Sequence, residues 1–170
     1  MLMENNISES AKKTIVFFSN PFGYGPTGKV VALLDDFSRL WKGKIICVAN
    51  GLTREMHDIK NSNKIKFIKI NERNEEDVIE LLKKINNPYV ISSLNRFAIK
   101  AAHILNVPSA IVDSLAWFWN EPPKEYFLAD FYYCQKMPGV PIRTVSQKQK
   151  NVPAILGKLP KIKIIKKNCK

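Results

Sequence analysis

The residues best suited to chemistry lie in a glycine-rich segment, Ser19 to Lys29, directly after an apolar run. Gly23, Gly25 and Gly28 form the pattern G-x-G-x-x-G between a predicted strand and a predicted helix. Glycines in that context permit a tight turn and let an anionic group approach the helix N-terminus closely. The substrate-binding residues predicted in this segment are Gly23, Tyr24, Gly25, Thr27, Gly28 and Lys29.

Three other interpretations of the glycine segment stay open. A dinucleotide-binding motif also requires an acid about 20 residues further on, after the second strand, where this chain has Asn50 and Gly51. A P-loop requires a Ser or Thr after its lysine to bind magnesium, and here Val30 follows Lys29. The segment would otherwise be a glycine turn that serves only strand–helix packing. We favour substrate binding, because the first two patterns are incomplete.

Two later segments are predicted at the same edge of the fold. The span Ser92–Arg96 offers hydroxyls and a guanidinium, and its alternative role is a helix cap with a surface arginine. The span Asp113–Pro123 combines carboxylates with a Trp-Phe-Trp cluster, which must seal the sheet edge, line a site or contact a partner. The weak catalytic candidates are Asp113 and Glu121, either of which could be a general base if aromatic surroundings raised its pKa. The predicted substrate-binding residues are Ser93, Asn95, Arg96, Ser114, Trp117 and Trp119. No metal site is predicted.

Short β-rich runs alternate with helical segments along most of the chain, and this alternation must position those residues. The predicted strands are Thr14–Phe18, Lys44–Ala49, Ile65–Ile70, Tyr89–Ile91, Ser109–Val112 and Phe131–Cys134. The predicted helices are Gly28–Leu40, Glu75–Ile85, Phe97–Leu105 and Pro122–Leu128. Alternation with short connections predicts an α/β fold, with one doubly wound, mainly parallel sheet of about six strands and helices on both faces. Ligands bind such sheets beyond the carboxyl ends of the strands.

Composition and charge narrow the class of protein. The chain has 170 residues and a net charge of +12, and 45% of its residues are hydrophobic, which is typical of a globular domain. Eight lysines and no acids lie in residues 147–170, which leaves a net charge of +4 on residues 1–146. We therefore expect a polar N-terminal segment (1–13), one folded domain (14–146) and a lysine-rich tail (147–170). The tail is either solvated or attracted to an anionic membrane or an acidic partner, and a specific nucleic-acid site is not expected.

The location of the protein is predicted from what the sequence lacks. The polar opening residues do not form a signal peptide, and no apolar stretch approaches the ~18 residues that a spanning helix needs. We therefore expect a cytoplasmic protein whose cysteines, Cys47, Cys134 and Cys169, are free thiols.

Several motifs in this order resemble the N-terminal, acceptor-binding half of GT-B glycosyltransferases, in particular uncharacterised bacterial members. They are F-x-x-x-P-F-G-Y-G-P-T-G-K, S-S-L-N-R, L-N-V-P-S, V-D-S-L-A-W-F-W and Y-Y-C-Q-K-M-P-G-V, within residues 14–142. The resemblance implies a Rossmann-like domain in which Gly23, Gly25, Thr27 and Gly28 contact acceptor or donor phosphate. This chain departs from the family pattern because Lys29, and not a histidine base, lies beside the glycines.

The resemblance also implies how such a domain would act. A GT-B enzyme holds its nucleotide sugar in a second domain, so we expect a separate donor-binding partner chain, a glycosyl acceptor as substrate and no cofactor of the chain's own. An exposed cleft face would also favour a homo-oligomer. The alternatives are a stand-alone domain that binds NAD(P) or a nucleoside phosphate, and a non-catalytic interaction module that uses Trp117, Phe118 and Trp119.

Overall fold

Seven strands form one parallel sheet in this computed structural model, which describes residues 13–20, 24–50, 64–141 and 143–153. The strands are β1 (Thr14–Ser19), β2 (Ile45–Val48), β3 (Ile65–Ile68), β4 (Pro88–Ser93), β5 (Ser109–Asp113), β6 (Phe131–Lys136) and β7 (Gln149–Pro153). Their order across the sheet is β3-β2-β1-β4-β5-β6-β7, and every neighbouring pair is parallel. The central strand β1 is buried along its whole length, as its continuous apolar run predicts.

Helices pack on both faces of this sheet. They are α1 (Tyr24–Leu40), α2 (Glu75–Lys83), α3 (Arg96–Ile104) and a short 3₁₀ helix (Lys124–Leu128). Helix α1 covers one face through Val30 and Leu34, while α2 and α3 cover the other through residues such as Val78 and Ala102. The 3₁₀ helix extends the second layer over β5 and β6, where Tyr126 is buried. None of the described helices has the length and apolar composition needed to cross a bilayer.

The predicted fold class is confirmed, because the chain forms a single parallel sheet with helices around it, an α/β Rossmann-like fold. The chain first builds the sheet outward from β1 through β2 to β3, and then returns to add β4 on the other side of β1. The strand order therefore reverses between β1 and β4. Ligands bind such sheets in the crevice outside the carboxyl ends of the strands at this reversal.

Two elements differ from the sequence prediction. Helix α1 begins at Tyr24 rather than at Gly28, so Gly25 and Gly28 lie within its first turns. Pro26 does not prevent this early start, because the first-turn N–H groups of a helix have no intrahelical acceptor. Strand β7 was not predicted, since its largely polar sequence QKNVP has the pattern of a loop, and its residues are exposed or half-buried beside β6. The sheet thus continues into the segment predicted as a lysine-rich tail.

A smaller difference concerns the start of α3. The sequence predicts a helix cap within the span Ser92–Arg96, and in the structure Asn95 rather than either serine is the N-cap, accepting a hydrogen bond from the Ala98 N–H. Ser92 instead supports Asn95, because its hydroxyl exchanges hydrogen bonds with the Asn95 backbone at 2.8 and 3.0 Å. The thiols of Cys47 and Cys134 are free and buried, and Cys169 lies outside the described residues.

Candidate functional site

A cavity of about 360 Å³ lies at the reversal of strand order, where the chain leaves β1 and β4. Its lining residues are Asn20, Arg73, Leu94, Asn95, Arg96, Phe97, Trp119, Pro123 and Tyr126. They come from four places in the sequence: the end of β1, the loop after β3, the start of α3, and the segment after β5. The cavity has two arginines, two asparagines and an aromatic wall, and its described lining includes no acid. It is the concave polar site that the fold predicts at this point.

Asn95 holds the separate segments of this cavity together. Its side-chain amide donates to the Ser19 carbonyl at 3.4 Å and to the Glu72 carbonyl at 3.1 Å. Its side-chain oxygen caps α3 through Ala98. Asn95 is only 3% exposed, so these bonds are shielded from water. One side chain therefore connects β1, the loop after β3 and α3.

Asp113 is the buried carboxylate at the carboxyl end of β5. The Tyr132 hydroxyl donates to its Oδ2 at 2.5 Å, and the Leu115 N–H donates to its Oδ1 at 2.7 Å. Burial raises the pKa of Asp113, and those two hydrogen bonds oppose that rise. Lys29 from α1 acts on the same group, and its own pKa is lowered by burial and partly restored by Asp113. Asp113 and Lys29 are therefore an acid and an amine whose charged forms are both disfavoured by burial, and neither of them lines the cavity.

A second buried carboxylate, which sequence analysis missed, lies where the dinucleotide motif requires an acid. The Asn50 amide, after β2, donates to the Glu72 carboxylate and to the Ile70 carbonyl. Glu72 is 4% exposed, and burial raises the pKa of its carboxyl group. A carboxylate therefore reaches the end of β2 from the loop after β3. No spacing rule within one strand–helix unit would have found it, because the acid comes from the next unit.

The start of α1 is open to an external group. A Cβ atom built on Gly25 would meet no atom within 4 Å, so the packing of the described chain does not require glycine at this position. The first turn of α1 contains no acidic residue to neutralise the positive end of the helix dipole. Packing alone therefore does not explain Gly25, while the absence of a side chain leaves space for a ligand beside the helix N-terminus.

The predicted site residues are only partly brought together. Asn95, Arg96 and Trp119 line the cavity, and Ser93 and Ser114 are buried at the ends of β4 and β5. Thr27 and Gly28 are buried within α1, Lys29 is half-buried, and Glu121 is exposed. Gly23 and the Tyr24 side chain lie outside the described part of the structure. The role of each of these residues stays a prediction.

The aromatic cluster after β5 is divided between the cavity and the surface. Trp119 lines the cavity, whereas Trp117 and Phe118 are 44% and 65% exposed. The Phe118 ring contacts each of the two tryptophans edge to face, with centroids 5.9 Å from Trp117 and 5.8 Å from Trp119. The cluster is therefore only partly buried against the described chain. Its role as an interaction surface stays a prediction.

A larger cavity, of about 860 Å³, lies on the α1 face of the sheet. Its lining includes sheet residues from β4 to β7, such as Ile91, Val112 and Val152, together with Phe37 and Trp41. This groove lies along the faces of the strands rather than beyond their ends, and it is mainly apolar. The smaller cavity has the converging polar groups that a functional site requires, so we place the candidate site there.

We expect the replacement Asp113→Asn to remove part of the pH dependence of stability. The folded-state pKa of Asp113 lies above its ordinary value of 3.8, so the folded state binds the proton more tightly than the unfolded state does. The contribution of Asp113 to stability therefore falls as the pH rises from its ordinary pKa to the raised one. The variant should gain stability relative to wild type as the pH rises above the ordinary pKa of 3.8, measured by urea unfolding. A difference between the two proteins that does not change with pH would contradict this.

Comparison with known proteins gives likeness in fold alone. No protein-family model matches the chain, and no curated protein matches it in sequence. Among solved structures, it is similar to the Bordetella bronchiseptica enzyme WbmH in complex with NAD⁺, with 13% identity, a TM-score of 0.45, and coverage of 72% of this chain and 54% of WbmH. The chain thus spans about half the length of that protein.

Two further matches have the same character. A wide-type short-chain dehydrogenase/reductase from Veillonella parvula, in complex with NADP, has 12% identity, a TM-score of 0.45, and 82% coverage of both chains. Serine dehydrogenase from Escherichia coli has 9% identity, a TM-score of 0.43, and coverage of 72% of this chain and 80% of the enzyme.

The comparisons correct two predictions. The resemblance to GT-B glycosyltransferases is wrong, because the matched structures include a dehydrogenase, a reductase-type enzyme and an NAD⁺ complex, and none of these three is a glycosyltransferase. The motifs misled because a glycine-rich turn between a strand and a helix is a local requirement shared by many Rossmann-like sheets. The expectation of no cofactor is wrong on the same finding, since two of the matched structures contain NAD⁺ or NADP.

Proposed function

We propose that this chain is a nucleotide-binding domain that takes a dinucleotide of the NAD(P) class at the carboxyl edge of its sheet. The observation that carries the proposal is the polar cavity at the reversal between β1 and β4. Rossmann-like sheets bind dinucleotides across this crevice, because helix N-termini and loop amides converge there on anionic groups.

The start of α1 supports a phosphate-binding role. Its first turn has no acid, and Gly25 has open space where a side chain would stand. Unpaired N–H groups and the positive end of the helix dipole attract an anion at such a terminus. Gly25 would let a pyrophosphate approach the backbone closely, and Lys29 would add a positive charge one turn further along the helix.

The end of β2 supports a ribose-binding role. A dinucleotide site uses an acid at this position to accept hydrogen bonds from ribose hydroxyls. Asn50 replaces the usual acid, but the Glu72 carboxylate lies beside it and is held by its amide. The carboxylate at the end of β2 therefore fits a nucleotide ribose better than the sequence alone suggests. A bound nicotinamide dinucleotide would supply hydride transfer, and the chain's own residues would bind and orient it.

The decisive experiment compares two substitutions of Gly25 by calorimetric titration with NAD⁺, NADP⁺ and ATP. Gly25→Asp should lower dinucleotide affinity by at least ~100-fold, because a carboxylate would face the phosphates. Gly25→Ala should lower it less, because a methyl group takes space without adding charge. Neither variant should lose stability, since the Cβ meets no neighbour and an acid in the first turn favours the helix dipole.

Thermal unfolding of the two variants separates binding from folding. Unchanged or increased stability together with weaker binding would support the proposal. The proposal fails if the wild-type chain binds none of the three nucleotides, or if Gly25→Asp binds them as tightly as wild type does.

A further inference from the structure

We propose that the part of this cavity between Arg73 and Arg96 is a second anion site, which lies beside the dinucleotide and holds a phosphate or carboxylate group of the substrate. This inference rests on the proposed function, because it assigns the substrate class to the neighbouring part of the same cleft. The dinucleotide phosphates would lie at the α1 N-terminus, and the substrate anion would lie between Arg73 and Arg96.

The two arginines come from separate parts of the sequence. Arg73 follows β3, and Arg96 is the first residue of α3, yet both line one volume of about 360 Å³. Guanidinium groups bind phosphate and carboxylate through paired N–H donors, so two of them on one cavity favour an anionic ligand. No acidic side chain of the described residues lines the cavity, and the side-chain amides of Asn20 and Asn95 are bonded to backbone carbonyls.

The anchoring of this wall supports a site that is formed before the ligand arrives. The Asn95 amide binds the Glu72 carbonyl at 3.1 Å, which fixes the backbone next to Arg73. The same residue caps α3, which fixes the backbone next to Arg96. A single buried side chain therefore sets the separation of the two arginine backbones. Such pre-organisation lowers the entropy cost of binding a small anion.

The opposite wall of the cavity is aromatic. Phe97, Trp119 and Tyr126 line it, and the Tyr126 hydroxyl is occupied by the Leu94 carbonyl at 3.0 Å. The Trp119 side chain interacts with the buried Asp113 carboxyl group and helps to lower the pKa of that group. A substrate that combines an anionic group with a flat or apolar body would satisfy both walls.

In the test, inorganic phosphate and acetate are titrated separately into the protein. Binding of each anion is measured by the change in tryptophan fluorescence and by calorimetry. Each of Arg73→Gln and Arg96→Gln should weaken binding of the preferred anion at least tenfold. The matched control is Arg39→Gln, because Arg39 is an exposed arginine near the end of α1 that pairs with Asp36 and does not line the cavity. The control should bind the anion with an affinity within twofold of that of wild type. Trp119→Phe should remove the change in fluorescence that accompanies anion binding. The preferred probe distinguishes a phosphorylated substrate from a carboxylic acid.

Dinucleotide titrations on the same variants separate this proposal from the proposed function. Dinucleotide binding that is lost in Gly25→Asp but kept in the arginine variants would support two adjacent sites. Anion binding without any dinucleotide binding would support the anion site and refute the proposed function. The anion site is refuted if neither probe binds, if the arginine variants bind as wild type does, or if the dinucleotide displaces the probe completely and depends equally on both arginines.

Discussion

Replacement of Asn95 by Ala should lower the free energy of unfolding by about 3 kcal/mol, because one buried side chain makes three bonds that alanine cannot make. It caps α3 through Ala98, and it donates to the carbonyls of Ser19 and Glu72. Each bond contributes roughly 1 kcal/mol, and the carbonyls left behind are shielded from water. Urea denaturation at neutral pH measures the effect.

The matched control is Asn74→Ala, because Asn74 is also a helix N-cap. It accepts from the N–H groups of Glu76 and Asp77 at the start of α2, and among the described residues its side chain makes no bond to another segment. That variant should lose only about 1 kcal/mol, the ordinary worth of a cap. Equal losses in the two variants would contradict the role of Asn95 as a link between segments.

Replacement of Tyr132 by Phe should destabilise the protein by about 2 to 3 kcal/mol at neutral pH, and by less in acid. The lost hydroxyl donates to the buried Asp113 carboxylate at 2.5 Å, and hydrogen bonds to charged groups are the stronger ones. The hydroxyl opposes the burial that raises the pKa of Asp113, so its loss should raise that pKa further. Below the pKa the bond is a neutral one, and the cost falls to about 1 kcal/mol.

Tyr126→Phe provides the comparison. Tyr126 is equally buried, but its hydroxyl donates to a neutral acceptor, the Leu94 carbonyl. We expect a cost of about 1 kcal/mol that changes little between pH 5 and pH 8. A cost of Tyr132→Phe that is independent of pH, or that persists unchanged when Asp113→Asn is also present, would show that the carboxylate is not responsible.

The fold could be predicted because its signals are local. The continuous apolar run of β1 predicts a strand buried on both faces, and the half-polar pattern of β3 predicts an edge strand. Six of the seven strands were found in this way. Strand β7 was missed because a polar edge strand buries too little apolar surface to leave a pattern in its sequence.

The candidate site could be predicted only in part, because only some of its residues lie next to elements that leave a pattern in the sequence. Asn95, Arg96 and Trp119 line the cavity at the carboxyl edge, where they were expected because they follow predicted strands, and their role in substrate binding stays a prediction. Arg73 and Glu72 were missed because they follow an edge strand through a loop, and nothing in that loop indicates where it leads. The glycine pattern was recognised, but the same pattern suits several families and did not identify one.

Hydrophobic periodicity along the chain was therefore enough to predict the parallel α/β sheet and the edge at which ligands would bind. The spacing of apolar residues that distinguishes a strand from a helix involves only neighbours a few residues away, so it can be seen in the sequence. Only the folded chain shows that Glu72 reaches the end of β2, that Asn95 joins three segments and that two distant arginines line one cavity. Those relations depend on how loops from different strand–helix units cross at the reversal of strand order. Such crossings are set by three-dimensional packing and leave no spacing in the sequence.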